Sequence, residues 1–212
     1  MRRTYGAVRF VAAGGIAVAV FSQLVFSLSF DQPDVTHFLW NYFSFFTILS
    51  NCLAMLSLLV AGWYCFKVPV DPPWLNLTRA TIATYMVTTG VVYNMLLRDV
   101  SLDQSSTLVW SNEILHVWAP LYLLLDWAFA SGRTPLPWKR VWVVVVFPIV
   151  WAVYTMIRGA FVGWYPYPFL EPTQPAGYRG VVFYVILIAI VILAAGYGLF
   201  AVSRARKLQP PA

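Results

Sequence analysis

The stretch NYFSFFTILSN, running from Asn41 to Asn51, decides how this chain folds. It lies in a long apolar segment, yet it places Asn41, Ser44, Thr47, Ser50 and Asn51 where a lipid-facing helix would read Leu, Val and Phe. Read as one helix, Ser44, Thr47 and Asn51 fall at i, i+3 and i+7 and share a face, with Ser50 beside them. A polar stripe in hydrocarbon is costly unless it points at other protein groups. The stretch therefore predicts a bundle of helices packed around it.

The composition is that of a membrane protein. Hydrophobic residues make up 60%, charged residues 10%, and mean hydropathy is +0.71, whereas about a quarter of a soluble chain is charged. No hydrophilic block is longer than a loop, so residues 1–212 read as a single transmembrane domain. The net charge of +6 is no nucleic-acid footprint, because the cations flank apolar segments as topology signals do. Cys52 and Cys65 stand thirteen residues apart on one expected helix. That separation is about 20 Å at the helical rise, beyond the roughly 7 Å a disulfide spans.

Working outward, the expected fold is all-α, a polytopic integral membrane bundle of six transmembrane helices. The spans are about 4–28, 38–66, 76–97, 108–130, 139–157 and 178–202, separated by turns rich in Pro, Gly and charge. The connection from Gly159 to Gly177 is longer, with four prolines alongside Trp164, Tyr165 and Tyr167, and reads as a lid or an interfacial segment. With both termini inside, only Arg98, Arg158 and Arg179 of the 14 Lys and Arg fall outside. This asymmetry predicts an N-in, C-in topology. Trp40, Trp63, Trp74, Trp110, Trp138, Trp164 and Tyr178 gather near the expected ends as interfacial belts.

The second and fourth spans run in the same direction. Thr47 lies nine residues below Phe38 and His116 eight below Leu108, so both sit about 12–14 Å below the outer boundary. They can meet if the helices are neighbours. A threonine hydroxyl becomes a useful nucleophile when an adjacent base takes its proton, and an imidazole among apolar groups is held neutral and able to do so. Asn112 and Glu113, at i−4 and i−3, lie on the His116 face and are candidates to orient the ring. Ser44, Ser50, Asn51 and Asn94 are candidate surroundings, and the oxyanion donor is open among Asn51, Asn94 or a Tyr hydroxyl. Thr47 alone reads first as helix glue, whereas an intramembrane histidine is a functional candidate by default. No metal is expected: His37 is the only other histidine and no Cys/His ligand spacing exists. No nucleotide fingerprint or Gly-x-Ser-x-Gly elbow occurs, so no cofactor is expected either.

Asp126 and Arg79, near the inner ends of the fourth and third spans, read as a structural ion pair. Asn94, Arg98, Asp99 and Glu113 share the outer level and read as a polar cap. Thr81, Tyr85 and Thr88 form a second polar face that reads as packing, and Ala194 and Gly198 as a close-contact pair.

Thr47 within FFTILSN and His116 within NEILHVWAPLYLLLDW resemble the androgen-induced and androgen-dependent membrane protein family, which includes threonine hydrolases of fatty acid esters of hydroxy fatty acids. The motif YPYPFLEP with Gly177 and Tyr178 looks like that of bacterial six-span relatives. The resemblance implies Thr47 as nucleophile, His116 as general base, a membrane lipid as substrate, and a bacterial inner (plasma) membrane location. This chain departs from the animal Lys-Tyr-Leu-Thr start with Ser44-Phe45-Phe46-Thr47. The expectation is an integral-membrane threonine hydrolase of lipid acyl esters with its site nearer the outer leaflet. The rival is a small transporter or lipid-binding membrane protein whose polar residues line a path or pocket. A continuous polar path past Asp126 would favour the rival.

Overall fold

The computed structural model describes residues 1–98, 100 and 107–205. Among these, all regular structure is helical. Helix α1 spans Arg2–Leu28, α2 Val35–Tyr42, α3 Phe46–Lys67 and α4 Pro73–Val92, and α4 continues as a wide π turn over Tyr93–Leu97. The fourth run is built from α5 (Val109–Glu113), a second π turn (Ile114–Trp118) and α6 (Ala119–Phe129). A 3-10 stretch, Trp138–Val145, leads into α7 (Val146–Val162), and α8 covers Gly177–Val202. Five helices are long and apolar enough to cross a membrane: Arg2–Leu28, Phe46–Lys67, Pro73–Leu97, Trp138–Val162 and Gly177–Val202. The run from Val109 to Phe129 is not among them. It is broken into three pieces and carries Asn112, Glu113, His116 and Asp126.

One sequence expectation fails at the quoted stretch. The second span is not one helix from residue 38 to 66: it breaks at Phe43–Phe45, between α2 and α3. Ser44 lies in the break, so it shares no helical face with Thr47 and Asn51. Its hydroxyl donates back to the Trp40 carbonyl (2.7 Å), and its own carbonyl accepts from the Trp151 indole (2.9 Å). Phe45 is extended (φ −67°, ψ 128°) and starts α3 as its cap residue. Serine competing for backbone partners is the ordinary cause of such an ending, and Trp151 fixes it from another helix.

Helix α4 is the centre of the bundle, with α3, α6 and α8 packed around it. Helix α1 lies along α3, where Gly6 and Gly62 let the backbones close. A Cβ on Gly6 would stand 2.6 Å from the Phe66 ring and 3.0 Å from the Gly62 carbonyl. Without a hydrophobic drive inside lipid, such small-residue contacts and interhelical hydrogen bonds hold helices together. The bonds include Tyr42 to the Val20 carbonyl (2.7 Å), Ser111 to the Ala19 carbonyl (2.8 Å) and Trp127 to the Leu199 carbonyl (2.9 Å). Phe21, Val25, Phe161 and Ile190 point outward, as do Trp40, Trp63, Trp74, Trp110, Trp138 and Tyr178 near the helix ends. Ala194 and Gly198 are exposed, and nothing lies near Gly198. Among the described residues the expected close helix contact is therefore not made at Gly198.

The end of the bundle that holds Arg2 and Asp71 carries a larger charge network than the pair expected from sequence. Asp126 accepts from Arg79 (2.8 Å) and from Arg9 (2.8 Å), while Asp71 pairs with both Arg79 and Arg2. Arg9 is fully buried and also donates to the Ala61 carbonyl (3.2 Å). It is therefore a core residue and not only a topology signal. The void beside Asp126 and Arg79 is about 10 Å³, room for one water. Both cysteines are free. Arg206, Lys207 and Asp99 lie outside the described residues.

Candidate functional site

Thr47 is the second residue of α3, so its N–H is one of the donors that a helix start leaves without an intrahelical partner. Its hydroxyl lies 3.1 Å from His116 Nε2. The matching depth read from sequence thus becomes a direct contact, because α3 packs against the π turn of the fourth run.

That π turn has a local cause. Pro120 has no N–H to give the His116 carbonyl, so the regular ladder cannot continue through it, and the backbone widens over Ile114–Trp118. Such π turns recur at functional sites because they re-aim a side chain. Here the widened turn points His116 at α3. The Asn94 amide donates to the Gly90 carbonyl (2.7 Å) and reaches the His116 carbonyl at 3.5 Å. Helix α4 comes close at this level, since a Cβ on Gly90 would lie 3.1 Å from Pro120.

His116 Nδ1 is 3.0 Å from the Asn112 backbone carbonyl. A carbonyl only accepts, so Nδ1 carries the proton and Nε2 presents its lone pair to Thr47. Asn112 therefore orients the ring through its backbone. Its side-chain amide instead donates to the Tyr93 hydroxyl, and the Tyr93 ring stacks on His116 with centroids 3.9 Å apart. Glu113, the other expected orienting residue, makes no bond to the imidazole: it pairs with Arg98 (2.9 and 3.3 Å), which also bonds Asn94. The expected polar cap at this level exists in that form. The reason is reach, since the i−4 carbonyl of a helix lies directly under the ring.

The remaining candidates serve the helix junctions. Asn51 donates to the Thr47 carbonyl (2.9 Å) and across to the Leu115 carbonyl (3.2 Å), stapling α3 to the π turn below the site. Ser50 donates to the Thr47 carbonyl and meets Thr89 of α4, each at 3.1 Å. Ser44 is away from the imidazole, against Tyr154 at 3.2 Å.

Tyr167 is the residue that sequence reasoning missed. It belongs to the long connection, which folds over the site, and is buried. Its hydroxyl accepts from the Thr47 N–H (3.3 Å) and lies 3.4 Å from the Thr47 hydroxyl. Since Thr47 Oγ1 donates to His116, the phenol is left to donate to Thr47 Oγ1. Burial pushes the phenol above its ordinary value, against hydrogen bonds from Thr47 and Phe46 that pull it down, so it stays protonated. The available signal was Tyr167 between Pro166 and Pro168, a side chain on a backbone with few conformations. Gly159 receives the start of this connection: the Tyr165 ring sits where a Cβ would be, at 2.1 Å.

Two cavities meet at Thr47. One, of about 370 Å³, lies between α4, α7 and α8; the other, of about 320 Å³, opens between α1, the α2–α3 break and His116. Among the described residues, no group of three or more His, Cys, Asp or Glu is arranged to hold a metal.

In comparison with known proteins, no family model, no curated protein and no solved structure matches this chain.

Proposed function

We propose that this chain is an integral-membrane hydrolase of lipid acyl esters, with Thr47 as nucleophile and His116 as general base. The observation that carries the reading is the line Tyr167–Thr47–His116–Asn112, in which a hydroxyl, the lone pair of a base and a carbonyl that fixes the tautomer follow in order. In the first step Thr47 Oγ1 attacks the ester carbonyl carbon and its proton passes to His116 Nε2. Collapse of the tetrahedral intermediate breaks the bond to the alcohol oxygen, which takes that proton and leaves. Water then attacks the Thr47 acyl ester with His116 again as base, releasing the carboxylic acid and restoring Thr47.

The charge that develops on the carbonyl oxygen needs donors. Asn51 and Asn94 both spend their amides on backbone carbonyls, which leaves the Thr47 N–H and the Tyr167 hydroxyl. The N–H stands at the positive end of α3, where negative charge is favoured. Loss of one such donor costs about 10²–10³-fold in kcat. Tyr167→Phe is accordingly expected to lower kcat by about that factor with KM little changed. Unchanged turnover in a folded Tyr167→Phe protein would remove the residue from the mechanism.

We place the chain as six spans with both termini inside, the run from Val109 to Phe129 crossing within the bundle, and the site nearer the outer leaflet of a bacterial inner membrane. The charge asymmetry supports the orientation. Transport is the weaker reading because Asp126 is tied into ion pairs beside a void of about 10 Å³. The test is hydrolysis of monoacyl esters by the purified protein in detergent or liposomes. A folded protein that cleaves no member of an ester series would leave only the lipid-binding reading.

A further inference from the structure

The two cavities differ in chemistry. The first is lined by Phe46, Val92, Pro148, Trp151, Ala189 and Ile192, among other apolar groups, with Thr88, Thr89, Tyr93 and Tyr167 as its hydroxyl residues besides Thr47. The Thr88 hydroxyl donates to its own helix (Thr84 carbonyl, 2.9 Å) and the Thr89 hydroxyl meets Ser50 (3.1 Å), so both are already partnered. The second has apolar walls too, among them Phe38, Ile48 and Leu115, and adds the polar groups of Gln23, Ser27, Arg98, Thr107, Asn112 and His116. Thr47, Tyr93, Leu97 and Tyr167 line both. The two cavities thus adjoin at these four residues, and a molecule lying across the junction passes beside Thr47.

An ester has two arms that meet at its carbonyl, and the two cavities divide them. The base that returns a proton to the departing oxygen is His116, which lines only the polar cavity. The alcohol arm therefore lies there and the acyl arm in the apolar cavity. At about 30 Å³ for a group the size of water, the 370 Å³ of the apolar cavity hold roughly twelve methylenes. Helix α7 leans against α8 scarcely at all beyond the 3-10 stretch that precedes it, so the apolar cavity has a side open to acyl chains.

We propose that the apolar cavity between α4, α7 and α8 is the acyl-chain site, and that the substrate class is an ester of a long-chain acid with an alcohol that itself carries polar groups. This inference rests on the hydrolase reading above. Ala189→Trp, on α8, fills the acyl cavity, and Thr107→Trp, at the exposed rim of the polar one, narrows the alcohol side. With glycerol monoesters from butyryl to palmitoyl, Ala189→Trp is expected to lose at least tenfold more in kcat/KM for the palmitoyl ester than for the butyryl ester. Thr107→Trp is expected to slow all chain lengths alike, and the wild type to prefer palmitoyl glycerol over a palmitoyl ester of a long-chain alcohol. Chain-length selectivity that changes in Thr107→Trp and not in Ala189→Trp overturns the assignment, as does equal cleavage of the two palmitoyl esters.

Failure of the hydrolase reading itself looks different: full ester hydrolysis in Thr47→Ala, or none in the wild type. A palmitate carrying a diazirine needs no turnover and tests the cavity in that case. It is expected to crosslink to α8 between Ala189 and Leu193 in the wild type and not in Ala189→Trp. Crosslinks spread over the outward helix faces in both proteins overturn the acyl site.

Discussion

Thr47→Ala and His116→Ala are each expected to reduce ester hydrolysis by at least about 10³-fold, and the double variant by no more than either alone, because nucleophile and base act as a unit. Under the proposed mechanism this is the largest functional effect expected in the molecule, and it rests on the 3.1 Å contact between them. Thr47→Ser keeps a hydroxyl at the same helix position and is expected to retain measurable turnover, which separates loss of the nucleophile from loss of packing. Rates measured on protein that elutes as a single species decide the matter. Independent effects that multiply in the double variant would mean that the two residues do not share a step.

Asp126→Ala is expected to be the most destabilising single change. The carboxylate joins Arg9 of α1 to Arg79 of α4, both buried, at 2.8 Å each. Removing one partner of a buried ion pair costs about 3–5 kcal/mol because the other charge stays buried without it. Arg79 keeps Asp71, so the larger penalty falls on Arg9, whose Nη2 is already without a hydrogen bond among the described residues. Thermal unfolding in detergent is expected to show a large fall in Tm. Replacing Arg9 and Asp126 together by Met and Leu should recover much of it. A fall no larger than that of an exposed substitution would show that the network carries little.

How much of this was legible in the sequence follows from which quantities a helix fixes. Thr47 and His116 were found because helical rise is uniform and polar residues are rare in apolar spans. Depth survived as a guide even though the count from Phe38 to Thr47 runs through the break at Phe43–Phe45, because the break is only three residues long. That break, and with it the departure of Ser44 from the site, depends on the Trp151 indole arriving from α7. No local pattern reports such a contact. The His116 tautomer depends on a backbone carbonyl, and every residue type has one, so the side chains of Asn112 and Glu113 were misleading candidates. Tyr167 was hidden for a related reason: a connection's path over the bundle is set by tertiary contacts, here Tyr165 seated on Gly159. Arg9 read as a flanking cation because its position near the start of α1 fits a topology signal, while its burial depends on Asp126, 117 residues away.

The long resting contact between Tyr167 and Thr47 has a consequence for substrate binding. The phenol occupies the space beside the Thr47 N–H that a carbonyl oxygen must take. A bound ester therefore has to turn the phenol toward its own oxygen. The phenol oxygen has to shift off the Thr47 N–H to make room, which displaces a ring seated between Phe45 and Phe169 at centroid distances of 5.7 and 5.2 Å.

The most direct test of the central claim is the site at which a long-chain fluorophosphonate reacts. The reagent phosphonylates a hydroxyl that a neighbouring base activates. The account predicts one adduct per chain, located on Thr47 by peptide mass spectrometry, absent in Thr47→Ala and strongly reduced in His116→Ala. A folded wild-type protein that takes no label, or takes it on another residue in a manner indifferent to His116, would contradict it.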